Sequence, residues 1–148
     1  MPVSVEDVRK WLDAEEVDYP AAARLGPDAL PALQQMAQGS DPMMASKATY
    51  LASLIGGDLS VRILEAAGAH ADPAVRVAAA TGLKNLPEQA AAPIVERLLA
   101  DHDIGVRKIA VRSAAAFASP AMKTRLQRLA EHDPEPFIRD LAIQHLPR

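Results

Sequence analysis

Three histidines, His70, His102 and His132, recur near the turn between paired helical patterns, and the acids Asp101, Asp103, Glu131, Asp133 and Glu135 crowd the same edge. Imidazole and carboxylate together are the donor types of a zinc site. Zinc ligands, however, must converge to about 2 Å from one ion. Histidines placed one per segment are held apart by the helix–helix spacing of about 8–10 Å. They read as ordinary solvent-facing turn residues, and neither a metal nor a cofactor is expected. Paired carboxylates can divide acid and base roles, but only in a cleft that shifts one pKa. These acids flank helix starts instead, where Asp103 and Asp133 are expected to cap and the others to be solvated. The Asp-x-Asp at 101–103 fails as a calcium loop, because its twelfth position is Arg112. Gly56-Gly57 stands alone, without the spacing of a phosphate-binding loop. No serine sits in G-x-S-x-G. Nothing here builds a nucleophile, and the expectation is a chain that does not catalyse.

The elements that hold these residues repeat along the chain. Leu33, Leu64, Val95 and Leu126 recur at one constant interval, and Met36, Ala67, Leu98 and Leu129 keep the same steps. Met44, Val75 and Val106 follow the same period, with Ile138 just one position past the next step. Such a period is the signature of a stacked repeat array. Within each repeat, apolar residues spaced three or four apart mark a first helix (A) with one buried stripe. The second helix (B) opens on an acid at Asp41, Asp72, Asp103 or Asp133, whose carboxylate can accept the orphan N–H groups of the first turn. Pro42, Pro73 and Pro134 then fall at the first helical position, where a missing N–H is harmless. Pro27, Pro87 and Pro120 are assigned to A-helix starts for the same reason. The units are 27–57, 58–86, 87–118 and 119–148. Residues 1–26 form a cap, with Ser4 opening a helix whose face is Val5, Val8, Trp11 and Leu12. This cap should cover the core of the first repeat, as terminal repeats in solenoids require.

Composition agrees with an all-helical array. Hydrophobic residues make up 49% of the 148 residues but aromatics only 3%, so the core must come from Ala, Leu, Val, Ile and Met. With no cysteine, disulfides and thiolate metal sites are excluded. The opening MPVSVEDVRK does not read as a secretory signal, and no apolar run is long enough to span a bilayer. A soluble, cytoplasmic protein with no membrane partner is expected. Net charge is −3, a poor match to nucleic acid, whose binders concentrate basic charge on one face.

The segment LGPDALPALQQMAQGSDP (25–42) resembles a HEAT-repeat A helix running into its B helix, and DPAVRVAAATGL (72–83) is close to that family's B-helix signature. DIGVRKIAVRSA (103–114) and DPEPFIRDLAIQHL (133–146) are looser copies. The short period is similar to the bacterial HEAT-like repeats named after phycobilisome lyases. The resemblance covers roughly residues 25–148 and implies a right-handed α-solenoid of about four repeats. It also implies that Arg76, Arg107 and Arg139, just inside the B helices, form a ladder with the capping acids; Ala45 breaks the pattern in the first repeat.

The resemblance further implies that B helices line the concave wall that such proteins use. With Val75, Ala79 and Leu83 assigned to the core, the outward rows are Ser46, Val77, Lys108, Asp140 and Tyr50, Thr81, Arg112, Gln144, with Lys84 nearby. Tyr50 is expected to be exposed. A patch of two or three bases suits an acidic peptide or helix better than a duplex. The expected function is a protein-binding module or adaptor. An accessory subunit or chaperone of a lyase-like enzyme is the alternative that the family name suggests, and nucleic-acid binding ranks behind both.

Overall fold

The computed structural model describes residues 2–146, and every regular element among them is helical. Helix α1 (Val5–Leu12) starts with a reciprocal cap. The Ser4 hydroxyl accepts the Asp7 N–H, and the Asp7 carboxylate accepts the Ser4 N–H, each at 3.1 Å. That exchange holds the Asp7 carboxyl below its usual range, the backbone bond being the larger cause. Val8 and Leu12 are fully buried, whereas Trp11 is 39% exposed. One residue from Leu12 is a rotation of about 100° around a helix, so Trp11 flanks the packed stripe instead of sealing the cap as expected. A short helix α2 (Tyr19–Ala22) and a 3-10 turn at 23–25 complete the N-terminal element.

Four helix pairs follow: α3 (Leu30–Ala37) with α4 (Pro42–Ile55), α5 (Asp58–Ala67) with α6 (Pro73–Gly82), α7 (Glu88–Leu99) with α8 (Ile104–Phe117), and α9 (Pro120–His132) with α10 (Pro136–His145). Asp41, Asp72 and Asp103 cap α4, α6 and α8, accepting backbone N–H groups at 2.8–3.4 Å. Pro42, Pro73 and Pro120 lie at helix starts as expected. Pro87 is one residue earlier, at the cap of α7, and Pro27 opens a 3-10 turn ahead of α3.

The fourth pair departs from the expected register. Asp133 ends α9, and α10 begins with Glu135 at the cap and Pro136 at the first position. Asp133 and Pro134 therefore do not open the helix. The step into the fourth B helix is one position longer than the earlier steps, so Glu135 answers to Asp103, and Asp133 answers to Asp101.

Core residues at the repeat positions, Leu33, Leu64, Val95 and Leu126 with Val75, Val106 and Ile138, are at most 1% exposed. They join one continuous apolar core through all four pairs. Alanine on the B helices (Ala45, Ala48, Ala79, Ala80, Ala110, Ala114, all fully buried) lets neighbouring backbones approach closely. At Gly82 the approach is too close even for a methyl, since an added Cβ would meet the Ser53 Cβ at 2.7 Å. Hydroxyls join the repeats as well: Ser60 donates to the Ala52 carbonyl, and Ser113 to the Ala80 carbonyl. Among the described residues, no helix is long and apolar enough to cross a membrane.

Candidate partner-binding surface

Successive B helices (α4, α6, α8, α10) pack against one another more extensively than successive A helices (α3, α5, α7, α9) do. Small residues on the B helices let their backbones come close, and these are the helices that the family resemblance assigns to the inner wall.

The N-terminal half of this wall is not free. Residues 19–25 lie against α4. Tyr50 is half-buried, with the Tyr19 ring edge-on to it at 4.9 Å and 83°. Burial, and secondarily the Tyr50 phenol, push the Tyr19 pKa above its usual value. The Lys47 ammonium donates to the Leu12 and Ala14 carbonyls at 2.8 and 3.3 Å, fastening the end of α1 to α4. Ser46 is also partly covered, and its hydroxyl is buried without a partner. The expected exposure of Tyr50 is thus corrected, because the chain's own N-terminal element occupies that stretch of wall.

From α6 onward the wall is open. Thr81, Lys84 and Arg112 come together with Ile109, Ser113 and Ala116 around an open groove of about 290 Å³ between α6 and α8. Val77 is half-buried one turn before Thr81, whose hydroxyl donates back to the Val77 carbonyl at 2.9 Å. Lys108 lies over the Phe137 ring, 5.7 Å from its centre, a cation–π contact worth about 0.5–1 kcal/mol at an exposed site. Asp140 and Gln144 are exposed on α10, away from the groove. Phe137, half exposed, was not among the expected site residues. Its place directly after Pro136 could have revealed it once α10 was set in the right register.

Arg76 and Arg107 do form a ladder, Arg107 with the expected Asp133 but Arg76 with Asp101, which caps no helix. The Arg76 Nε and Nη2 donate to the Asp101 carboxylate at 2.9 and 3.3 Å, while its Nη1 donates to the His70 and Ala71 carbonyls. Arg107 repeats the arrangement with Asp133 at 3.0 and 3.2 Å, its Nη1 on the Asp101 carbonyl. Each partner acid belongs to the following repeat and stands just ahead of the B-helix cap, at Asp103 or Glu135. Asp101, expected to be solvated, is buried there and also accepts the Asp103 N–H. Asp133 accepts the Glu135 N–H in the same way.

His70 occupies the acid position of the second repeat. Its Nδ1 accepts the Asp72 N–H at 2.9 Å and its Nε2 faces the Gly39 carbonyl at 3.4 Å. It is therefore a packed connector, not a free turn residue. Where Ala45 removes the arginine, the acid that would answer it is also missing. His102 and His132 are exposed beside Asp101 and Glu131.

Comparison with known proteins places this architecture. A family model described as HEAT repeats matches residues 61–147. No curated protein matches the chain in sequence. Among solved structures, one similar chain comes from the complex of CpcE and CpcF of phycocyanin lyase from Nostoc sp. PCC7120. The TM-score is 0.73 at 20% identity, covering 96% of this chain and 99% of that one. Human deoxyhypusine hydroxylase, in complex with glycerol, aligns with a TM-score of 0.68 at 20% identity over 95% of this chain and 60% of its own. Both likenesses concern the fold. With helix pairs repeating along the chain and a family model matching more than half of its length, the chain belongs to the HEAT repeat family.

Proposed function

We propose that this chain is a non-catalytic interaction module that binds an acidic segment of a partner protein along the open part of its inner wall. The observation that carries this reading is the groove between α6 and α8, where Lys84 and Arg112 flank the half-buried Ile109 and Thr81. An apolar floor with basic sides suits a helix or peptide with carboxylates beside an apolar residue. Lys108 and the exposed Phe137 extend the same chemistry toward α10.

The test is charge reversal of Lys108 and Arg112 to Glu against the chain's protein partner, with Lys123→Glu/Arg128→Glu, two exposed positions on α9, as control. Reversal on the wall should weaken binding by about tenfold or more, since each 1.4 kcal/mol is a factor of about ten. The control should bind like the unmodified chain. Loss in the control alone would move the site to the convex side.

A second reading has its own support. The match to a chain of the CpcE–CpcF complex runs over nearly the full length of both, which suits a role as one subunit of a two-protein enzyme. Lyase activity appearing only when this chain is mixed with its partner would favour that reading over a stand-alone adaptor.

A further inference from the structure

Charge is sorted between the two sets of helices. Inside α4, α6 and α8 every charged residue after the capping aspartate is Lys or Arg. The A helices α5, α7 and α9 instead mix bases with acids such as Glu65, Glu96 and Glu131. In a chain with 19 acids and 16 bases, this sorting leaves Lys84, just past α6, and Arg112 exposed on the B side. Neither has a carboxylate partner among the described residues.

Four acids stand together elsewhere. Asp13, Glu15, Glu16 and Asp18 lie in the turn between α1 and α2, all exposed. None of them forms an ion pair among the described residues. Lys47, the wall lysine that reaches this turn, donates to the Leu12 and Ala14 carbonyls and not to a carboxylate. The turn is in line with the groove. Lys47 stands two repeat steps before Ile109, and Tyr50, against which Tyr19 packs, stands one step before Thr81 and two before Arg112. Thr81, Ile109 and Arg112 line the groove. The residues that hold the N-terminal element on α4 are thus the register equivalents of groove residues. Acidic turn and basic groove lie at one height, on neighbouring helices spaced about 8–10 Å apart.

We infer that the partner segment has mixed charge in a fixed order: carboxylates over Lys84 and Arg112, then a lysine or arginine at the end that runs toward α4, where the four acids of the turn meet it. The inference rests on the groove reading above and adds an order of charges to it. A plain basic wall binds the more acidic of two segments better. Here the turn reverses that rule at one end, because charges one helix spacing apart still interact when the Debye length is about 10 Å at 0.1 M salt. The same turn works against a polyanion such as nucleic acid, whose phosphates continue past the bases onto the acids.

The probes are two synthetic peptides of equal length, each with glutamates around one leucine and both termini blocked. They differ only at one end, which is Lys-Lys in the first and Glu-Glu in the second. Fluorescence anisotropy at low salt should show the full chain binding the lysine-ended peptide more tightly. Glu15→Gln/Glu16→Gln should shrink that preference by roughly fivefold or more, in part by strengthening the acid-ended peptide. Glu65→Gln/Glu131→Gln, the same change of net charge at exposed positions on A helices, should leave the preference intact. Arg112→Glu should weaken both peptides. A tighter acid-ended peptide, or equal effects of the two double Gln variants, would overturn the charge order; with Arg112→Glu still weakening both peptides, the groove would stand. Indifference of both peptides to Arg112→Glu would overturn the groove reading, and this inference with it.

Discussion

Asp133→Asn separates two roles that differ several-fold in energy. As a helix cap, Asp133 would tolerate the change, because Asn and Asp cap about equally well. As the ladder acid it would not. The Arg107 and Asp133 side chains are only 9% and 4% exposed, and two N–H groups of the guanidinium end on that carboxylate at 3.0 and 3.2 Å. Asn keeps an oxygen for the Glu135 N–H but removes the charge and one acceptor, leaving a buried cation. Breaking one member of a buried pair costs about 3–5 kcal/mol. At roughly 2–4 °C per kcal/mol for a chain of this size, the lower figure gives a fall of roughly 6–12 °C. Asp101→Asn should behave alike through Arg76, whereas Asp103→Asn, at a cap without an arginine, should melt almost like the parent. Urea unfolding followed by circular dichroism and tryptophan fluorescence would measure all three, with coincident transitions checking two-state behaviour. Indistinguishable midpoints for Asp133→Asn and Asp103→Asn would refute the ladder role.

Gly82→Ala should destabilise despite the helix propensity of alanine, which favours it by about 1 kcal/mol. The new Cβ would stand 2.7 Å from the Ser53 Cβ and 3.3 Å from Leu64 Cδ2, and overpacking of that kind costs about 1–3 kcal/mol; a higher urea midpoint would contradict the close α4–α6 approach. Ala118→Gly should instead stabilise by about 0.5–1 kcal/mol, since Ala118 ends α8 at φ 52°, a left-handed conformation that suits glycine; thermal melting checks it. Tyr19, with its folded pKa raised, contributes stability that is fully present below pH about 10 and is lost as pH rises through the folded pKa; unfolding midpoints between pH 8 and 11 should fall more steeply for the parent than for Tyr19→Phe.

The repeat, the helix pairs and most of the core are legible in the sequence because burial recurs with the period: Leu33, Leu64, Val95 and Leu126 face the same environment four times. The N-caps of α4, α6 and α8 are legible for the same reason. The acid rung is not, because Asp133 falls one position short of a full step from Asp103 and one position beyond a full step from Asp101. A near-constant period hides so small a difference in register, and with it the difference in role. The clue lies in the pairs Val106 to Ile138 and Arg107 to Arg139, both one position longer than the earlier steps. The cover over Tyr50 leaves no such signal, since residues 13–25 lie outside the repeat and nothing periodic says which helix they cross. Lys47 bonding to Leu12 and Ala14 is a contact between distant segments that only the folded chain reveals.

Which surface meets the partner can be read directly from the lysines. Carbodiimide joins an amine to a carboxylate already in contact with it, without a spacer. Lys84 borders the groove and Lys108 stands near its α10 side, whereas Lys10 is on α1, Lys47 is held by backbone carbonyls and Lys123 is exposed on α9. Treating the partner complex and mapping the linked peptides should give amide bonds from partner Asp or Glu to Lys84 and Lys108. Links confined to Lys10 or Lys123, with Lys84 and Lys108 unmodified, would contradict the inner wall as the binding surface.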